Sequence, residues 1–439
     1  MKTSIFIISF TAFCFAGFSG YSQELGRRAS WQASFDRLKE GPGVRVTELQ
    51  SNSPLAQAGL EVGDILLIVN DRLINSGEDW TAATYAIRAE DQTSIQYRRG
   101  STVSRTSVSL NPLGKESHDN LDTYYESITS DYGIQQRTII TRPRNQTGRL
   151  PAIILLQGLS CSTIECHEGR TGNWRNQINY VVERSNMVVM RVDKPGVGDS
   201  DGDCSQTDFH TELAGYRAAI RALKAKEYVD PERIVIYGSS MGSALAPLLA
   251  NEFDLAGVIS DGTFFKTWFE HMLEIERRIR QMSGDDESTI VKKMNEAYIP
   301  LCYEMLVMGK SYEEAIRENP SLADYNYHGP RHMYGRPVAY YQQLQQFDLA
   351  GQWEKVKVPV RIMYGANDWI MSEFDNRMIM DVLDKAGHDD HELLVYPGLD
   401  HWNTIHDSPD DSFNGKPGLW DEGVPQQIVD WATEMVNAK

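Results

Sequence analysis

Positive charge is in short supply in this sequence: 43 Lys and Arg stand against 61 Asp and Glu, a formal net charge of −18 over 439 residues. A surface of that sign repels phosphate backbones and anionic lipid headgroups, which argues against nucleic-acid binding and against electrostatic docking to membranes. Internal repeats and low-complexity tracts are lacking, so solenoid and fibrous architectures fall away. Cysteine is sparse, at five residues, and none has CxxC spacing, so no zinc or other metal site is expected. Apart from the extreme amino terminus, no apolar run approaches the ~20 residues that a membrane-spanning helix needs. What remains, 41% apolar and 24% charged residues, is the composition of a chain that folds around packed cores rather than a disordered one. At roughly 150 residues per domain, the length suggests about three folding units.

The first residues read as an address. Met1-Lys2 precedes an apolar run from Ile5 to Phe18, too short to span a bilayer comfortably, and Gly20-Tyr21-Ser22 offers small residues at the positions a signal peptidase reads. Residues 1–22 are therefore expected to be a signal peptide, with a mature chain from Gln23 that is exported, periplasmic or secreted, and has no membrane span. Cys14 follows bulky Phe13, which argues against a lipidated cysteine. Cys161, Cys166, Cys204 and Cys302 remain after cleavage, and export permits disulfides among them; the three pairings stay open at this point.

Residues 28–113 show short strands, turns and one helix. Gly43 to Val46 reads as a strand entered through a glycine turn, Gly63 to Asn70 as a buried strand, Asp79 to Ala89 as a helix, and Ser94–Arg98 with Val103–Leu110 as a hairpin. The run SPLAQAGLEVGDILLIVND and the later QYRRG resemble a bacterial PDZ domain, with Asp71 where the pattern usually carries glycine. The resemblance implies that a peptide C-terminus adds a strand beside the Gly43–Val46 strand, its carboxylate held by the loop Gly41, Pro42, Gly43 and Val44.

From about residue 120 to 439, strand-like runs alternate with helical ones. Several strands are apolar throughout, as in a mostly parallel α/β sheet covered by helices on both faces. The stretch of about residues 264–355 breaks this alternation. It places Trp268, Met272, Ile275 and Ile279 at helical spacing and reads as a helical cap, whose Phe264, Trp268, Tyr303, Tyr334 and Tyr340 are candidate pocket walls.

The segment that carries chemistry is Ile234-Val235-Ile236-Tyr237-Gly238-Ser239-Ser240-Met241-Gly242, a strand followed by G-x-S-x-G and then helix formers. Such a serine sits on a sharp strand-to-helix turn with its hydroxyl above the sheet and a helix N-terminus beside it. The glycine frame selects Ser240 over Ser239. A hydroxyl needs a base, and the base an orienting acid. Asp368 ends the strand Val358–Tyr364 and its turn, and His401 follows the strand Leu393–Tyr396; both are preferred by loop position over His406, Asp400 and Asp375. Backbone donors for the oxyanion are expected at Met241, just after the nucleophile, and at Leu159, in the loop after Leu155-Leu156-Gln157-Gly158.

The order Ser, Asp, His and the strand contexts make about 300 residues similar to the α/β-hydrolases, nearest the exported carboxylic-ester hydrolases and the serine aminopeptidase-like group. Gln157-Gly158 stands where many relatives have His-Gly. Asp193-Lys194-Pro195-Gly196-Val197-Gly198-Asp199-Ser200 matches a loop after another central strand and lacks the spacing of a dinucleotide fingerprint. The implied fold is an α/β-hydrolase domain (120–439) with a helical cap, preceded by a small β-rich PDZ-like domain. The implied activity is ester hydrolysis through an acyl-enzyme without metal or organic cofactor, on a small-molecule ester. The alternatives are a peptidase acting on short peptides and an inactive PDZ scaffold. In this fold the loops bearing Cys161 and Cys204 leave neighbouring strands, implying a Cys161–Cys204 bridge, with free or otherwise paired thiols as the alternative.

Overall fold

Alternating burial along five strands builds the first sheet. They are β1 (Ala33–Arg37), β2 (Val44–Leu49), β3 (Ile65–Val69), β4 (Gln92–Arg99) and β5 (Thr102–Ser109), antiparallel in that order, and a sixth, two-residue strand, Arg72–Leu73, pairs with β3 off this path. The computed structural model describes residues 24–166, 172–325 and 332–438, so the expected signal peptide lies outside the described residues. Val46, Leu66, Val69 and Ile95 form the centre of the small core. Helix α1 (Gly77–Tyr85) begins ahead of the expected Asp79 because the Ser76 side chain accepts from the Asp79 amide at 3.0 Å. It stops short of Ala89, whose amide donates instead to the Arg27 carbonyl at 2.7 Å. Sequence pattern gives no strand at β1. That strand forms through tertiary contact, pairing with β2 while Phe35 packs on Trp80 of α1 with ring centroids 4.7 Å apart.

The second sheet has eight strands: β6 (Leu121–Thr129), β7 (Gln135–Pro143), β8 (Leu150–Leu156), β9 (Val188–Val192), β10 (Val229–Ser239), β11 (Gly257–Asp261), β12 (Val360–Gly365) and β13 (His391–Tyr396). Their spatial order is β13-β12-β11-β10-β8-β9-β7-β6. Neighbours from β13 across to β9 run parallel, and the β6–β7 hairpin is antiparallel at the edge. β6 was not expected as a strand, because its polar, edge-exposed sequence DTYYES lacks the apolar run that marks the central strands.

Both faces of this sheet are buried, which is why its strands read as continuous apolar runs. Along β8, Ile154 and Leu156 point to a layer shared with α3 (Phe209–Lys224) and α4 (Met241–Phe253), while Ile153 and Leu155 point to α2 (Asn173–Arg184) and α8 (Gly423–Asn437). Each such side chain contributes about 1.5–3 kcal/mol on burial. Between β11 and β12 the chain runs mainly through helices, beginning with α5 (Trp268–Met282). Its last helix, α6 (Leu349–Lys355), packs against α4 and α7 (Glu373–Lys385) with Trp353 fully buried, so it is a crossover helix of the sheet and not cap. No helix among the described residues is long and apolar enough to cross a membrane.

A buried ionic network ties the segment before the first sheet to the second. Arg137 of β7 donates to Glu165 Oε2 at 2.7 Å, to Asp199 Oδ2 at 2.8 Å and to Asp193 Oδ2 at 2.7 Å. Arg27 joins the same carboxylates, reaching Glu165 Oε1 at 2.7 Å and also bonding Asp199, and the Arg28 amide donates to Asp199 Oδ1 at 2.8 Å. Burial penalises the Arg137 charge, yet Asp193, Glu165 and Asp199 around it hold its pKa above the usual arginine value.

Candidate active site

The chain reverses its direction of travel across the sheet between β8 and β10: β9 lies on one side of β8 and β10 on the other. In open α/β sheets the crevice at the carboxyl ends of strands flanking such a reversal is where ligands bind. Ser240 stands there, between β10 and α4, at φ 53° and ψ −121°. That backbone is costly for a non-glycine residue and is kept only where surrounding structure enforces it. The two flanking glycines make it sterically feasible, since a Cβ on Gly238 would run into the Gly242 carbonyl and one on Gly242 into the Leu156 carbonyl. The Ser240 amide donates to the Asp261 carbonyl at 2.8 Å, pinning the turn to β11.

Ser240 Oγ lies 3.0 Å from His401 Nε2, and His401 Nδ1 lies 2.8 Å from Asp368 Oδ2. The other Asp368 oxygen accepts from the amides of Ile370 and Met371, each at 2.8 Å, which fixes the carboxylate plane. Burial alone would favour neutral forms of both ionisable groups. The imidazole and the two amides nonetheless hold Asp368 below the ordinary carboxylate range, and Asp368 holds His401 above the ordinary histidine value. The arrangement can take a proton from a hydroxyl, hold the resulting imidazolium and return the proton.

The other candidates lie elsewhere. His406 pairs with Asp400 at 3.3 Å, Asp400 also accepts from the Trp402 and Thr404 amides, and Asp375 on α7 pairs with Lys266 at 2.9 Å. Ser239 is the last residue of β10. Met241 opens α4, so its amide has no acceptor within the helix. Gly158 abuts Ser240, and a Cβ on it would sit 3.0 Å from Ser240 Cβ. Cys161 and Cys204 are joined in a disulfide with Cα atoms 5.9 Å apart, and Cys166 and Cys302 are free and buried. Among the candidate pocket walls, Phe264 and Trp268 are buried and pack against His271, whereas Tyr303 is 42% exposed.

Three groups near the site escaped sequence reading because only tertiary packing makes them distinctive. Asp261 closes β11 and receives hydrogen bonds from Tyr237 Oη at 3.1 Å and Gln177 Nε2 at 3.3 Å; burial pushes its carboxyl up to about 6. His271 of α5 is buried against Phe264 and Trp268, and that burial, aided by Arg278 and His401, pushes its imidazole down to about 3, so it is neutral. Lys194 follows β9 and is buried behind the loop that carries Gly158.

The expected peptide loop sits differently from its intended role. Gly41, Pro42, Gly43 and Val44 connect β1 to β2, the Gly43 amide donates to the Ile74 carbonyl at 2.7 Å, and β1 pairs with β2 from Arg37 opposite Val44 to Ala33 opposite Leu49. On its other side Val44 and Arg45 of β2 pair with Leu66 and Ile65 of β3, so the stretch of β2 next to this loop is already taken on both sides. The free edges of this sheet are β1 and β5.

Comparison with known proteins agrees with this two-part architecture. Residues 25–110 match the PDZ domain family, and residues 170–408 match the family described as serine aminopeptidase, S33. Esterase EstD of Thermotoga maritima is 21% identical over 263 residues, covering 60% of this chain and 56% of that relative. The match thus spans little more than half the length of the curated relative. Among solved structures, an esterase of Pyrococcus furiosus is 12% identical, covering 73% of this chain and 96% of its own, with a TM-score of 0.44. Est1E of Butyrivibrio proteoclasticus is 15% identical, covering 72% of this chain and 99% of its own, with a TM-score of 0.43.

Proposed function

The chain belongs to the serine aminopeptidase, S33, family, an α/β-hydrolase with an amino-terminal PDZ domain, and from that premise we propose that it cleaves carboxylic esters through Ser240, His401 and Asp368. The observation that carries the reading is the continuous hydrogen-bond chain from Asp368 through His401 to Ser240, with separations of 2.8 and 3.0 Å. Ser240 Oγ attacks the ester carbonyl while His401 Nε2 takes its proton. The Met241 and Leu159 amides receive the oxyanion, collapse expels the alkoxide, and His401 protonates it as it leaves as alcohol. Water, deprotonated by the same imidazole, then releases the acid and restores the hydroxyl. The naming of the Thermotoga relative as an esterase favours esters over amides. The S33 family description favours the second reading, an aminopeptidase acting on short peptides. The apolar start of the chain and the Cys161–Cys204 bridge support an exported enzyme.

A fluorophosphonate probe is expected to label the protein at Ser240 alone, located by peptide mapping, and p-nitrophenyl acetate is expected to be hydrolysed faster than aminoacyl p-nitroanilides. An unlabelled Ser240 would dismiss the triad, and faster anilide cleavage would transfer the assignment to the peptidase reading. A pH profile follows from the direction of the imidazole shift. Because His401 must be neutral to accept the proton and its pKa is raised, kcat/KM is expected to climb with pH through a midpoint above the ordinary histidine value of about 6.5. A midpoint below that value would contradict the Asp368–His401 pairing as the source.

A further inference from the structure

Behind the loop that carries Gly158 lies a buried charged cluster that the acyl-transfer steps above do not use. Lys194 Nζ donates to the Gly158 carbonyl and lies 3.2 Å from Glu212 Oε1 of α3. Arg336, from a short strand pair (His332–Met333 with Arg336–Pro337) inserted between β11 and β12, binds the other Glu212 oxygen and lies over the Tyr340 ring, 4.5 Å from its centroid. The same guanidinium contacts the sulfurs of the Cys161–Cys204 bridge, so one cluster grips the loop at Gly158 and again at Cys161. Lys194, Glu212 and Arg336 are all buried.

A planar trans peptide points its C=O and N–H in opposite directions. The carbonyl of Gly158 and the amide of Leu159 belong to one such unit. Lys194 holds the Gly158 carbonyl, Gly158 abuts Ser240, and the Leu159 amide of the same peptide therefore points away from Lys194. We propose that Lys194 is a positioning residue for the oxyanion site: it locks the 158–159 peptide so that the Leu159 amide faces the tetrahedral intermediate, and its positive charge polarises that peptide toward a stronger donor. The inference rests on the acyl-transfer reading of Ser240 and adds the group that prepares the site for charge developing on the substrate oxygen. Such preorganised donors act mainly on the transition state, because their cost is met when the protein folds.

Burial and two charged groups set the charge state of this lysine. Burial pushes the ammonium down to about 8, Arg336 from the inserted strand pair pushes in the same direction, and Glu212 from α3 opposes both. Asp193, its neighbour in the chain, is turned away toward Arg137.

The test compares wild type with Lys194→Met and Lys194→Arg, using p-nitrophenyl acetate kinetics, affinity for an alkylboronic acid that forms a tetrahedral adduct on Ser240, and the pH profile. Lys194→Met is expected to lose about 10- to 100-fold in kcat with KM little changed, and to lose boronate affinity in parallel. Lys194→Arg is expected to recover most of kcat, and to lack the decline in kcat expected of the wild type as pH rises through about 8. Unchanged kcat in Lys194→Met, or a loss confined to KM, would overturn the proposal. Should Lys194→Met fail to fold, the arginine variant decides alone, since an alkaline decline identical to wild type would also overturn it. Ser240→Ala, assayed alongside, keeps the two ideas apart: its inactivity with a normal Lys194→Met enzyme rejects the positioning role and leaves the triad standing.

Discussion

Ser240→Ala is expected to lower kcat for p-nitrophenyl acetate by roughly four to six orders of magnitude, with the thermal midpoint close to wild type. The size follows from the division of labour: with the hydroxyl gone, His401 has no nucleophile to deprotonate, and only the backbone donors and binding remain to assist water. Asp368→Asn is expected to fall by about 10⁴-fold, because an amide facing Nδ1 favours the wrong imidazole tautomer and cannot stabilise the imidazolium. The double variant should be little worse than Ser240→Ala alone, since the groups act as one unit. Steady-state kinetics at matched concentrations of folded protein checks all three. A Ser240→Ala enzyme retaining even a tenth of its turnover would place the nucleophile elsewhere.

The second large effect concerns stability. Arg137→Met is expected to destabilise the fold by about 3–5 kcal/mol, because it takes the guanidinium from buried Asp193 and leaves Arg27 as the arginine shared by Glu165 and Asp199. Arg27 can compensate for two of these carboxylates but reaches Asp193 through no contact of its own. The pH dependence carries the signature. Buried carboxylates without their cation have raised folded pKa values, so the folded variant binds more protons than its unfolded chain and its stability falls as pH rises. The gap in denaturation midpoint between variant and wild type should therefore widen from pH 5 to pH 8, as measured by urea unfolding. A constant gap would show that lost packing, not unpaired charge, is responsible.

Much of the site was legible because its chemistry has local signatures. Gly238 and Gly242 frame Ser240 in a turn that only small residues permit, and Asp368 and His401 each stand just beyond a strand of the sheet, so order and spacing single them out. The proposed oxyanion donors are backbone groups, read from position rather than side-chain type. Illegible were the features created by contact between distant segments. β1 owes its form to pairing and to the Trp31–Phe35–Trp80 cluster, and nothing in ASFDR announces a strand. Lys194 reads as a solvated charge in a glycine-rich loop until Glu212, 18 positions on, and Arg336 from the inserted strand pair close around it. Asp261 likewise reads as a strand end and becomes distinctive only when Tyr237 and Gln177 close on it.

Arg27 and Arg28 have a consequence for how the two modules can be handled. They precede the whole first sheet, yet the Arg27 guanidinium pairs with carboxylates lodged among the loops of the second, and the Arg28 amide donates to one of them. A hydrolase expressed without its front half would carry Asp199 and Glu165 short of a counter-ion, and a PDZ module grafted from another chain would have to bring both arginines in register. Excision and swapping, the usual ways of asking what an accessory module does, would here injure the catalytic half as well; substitutions on the exposed edges of the small sheet are the cleaner question.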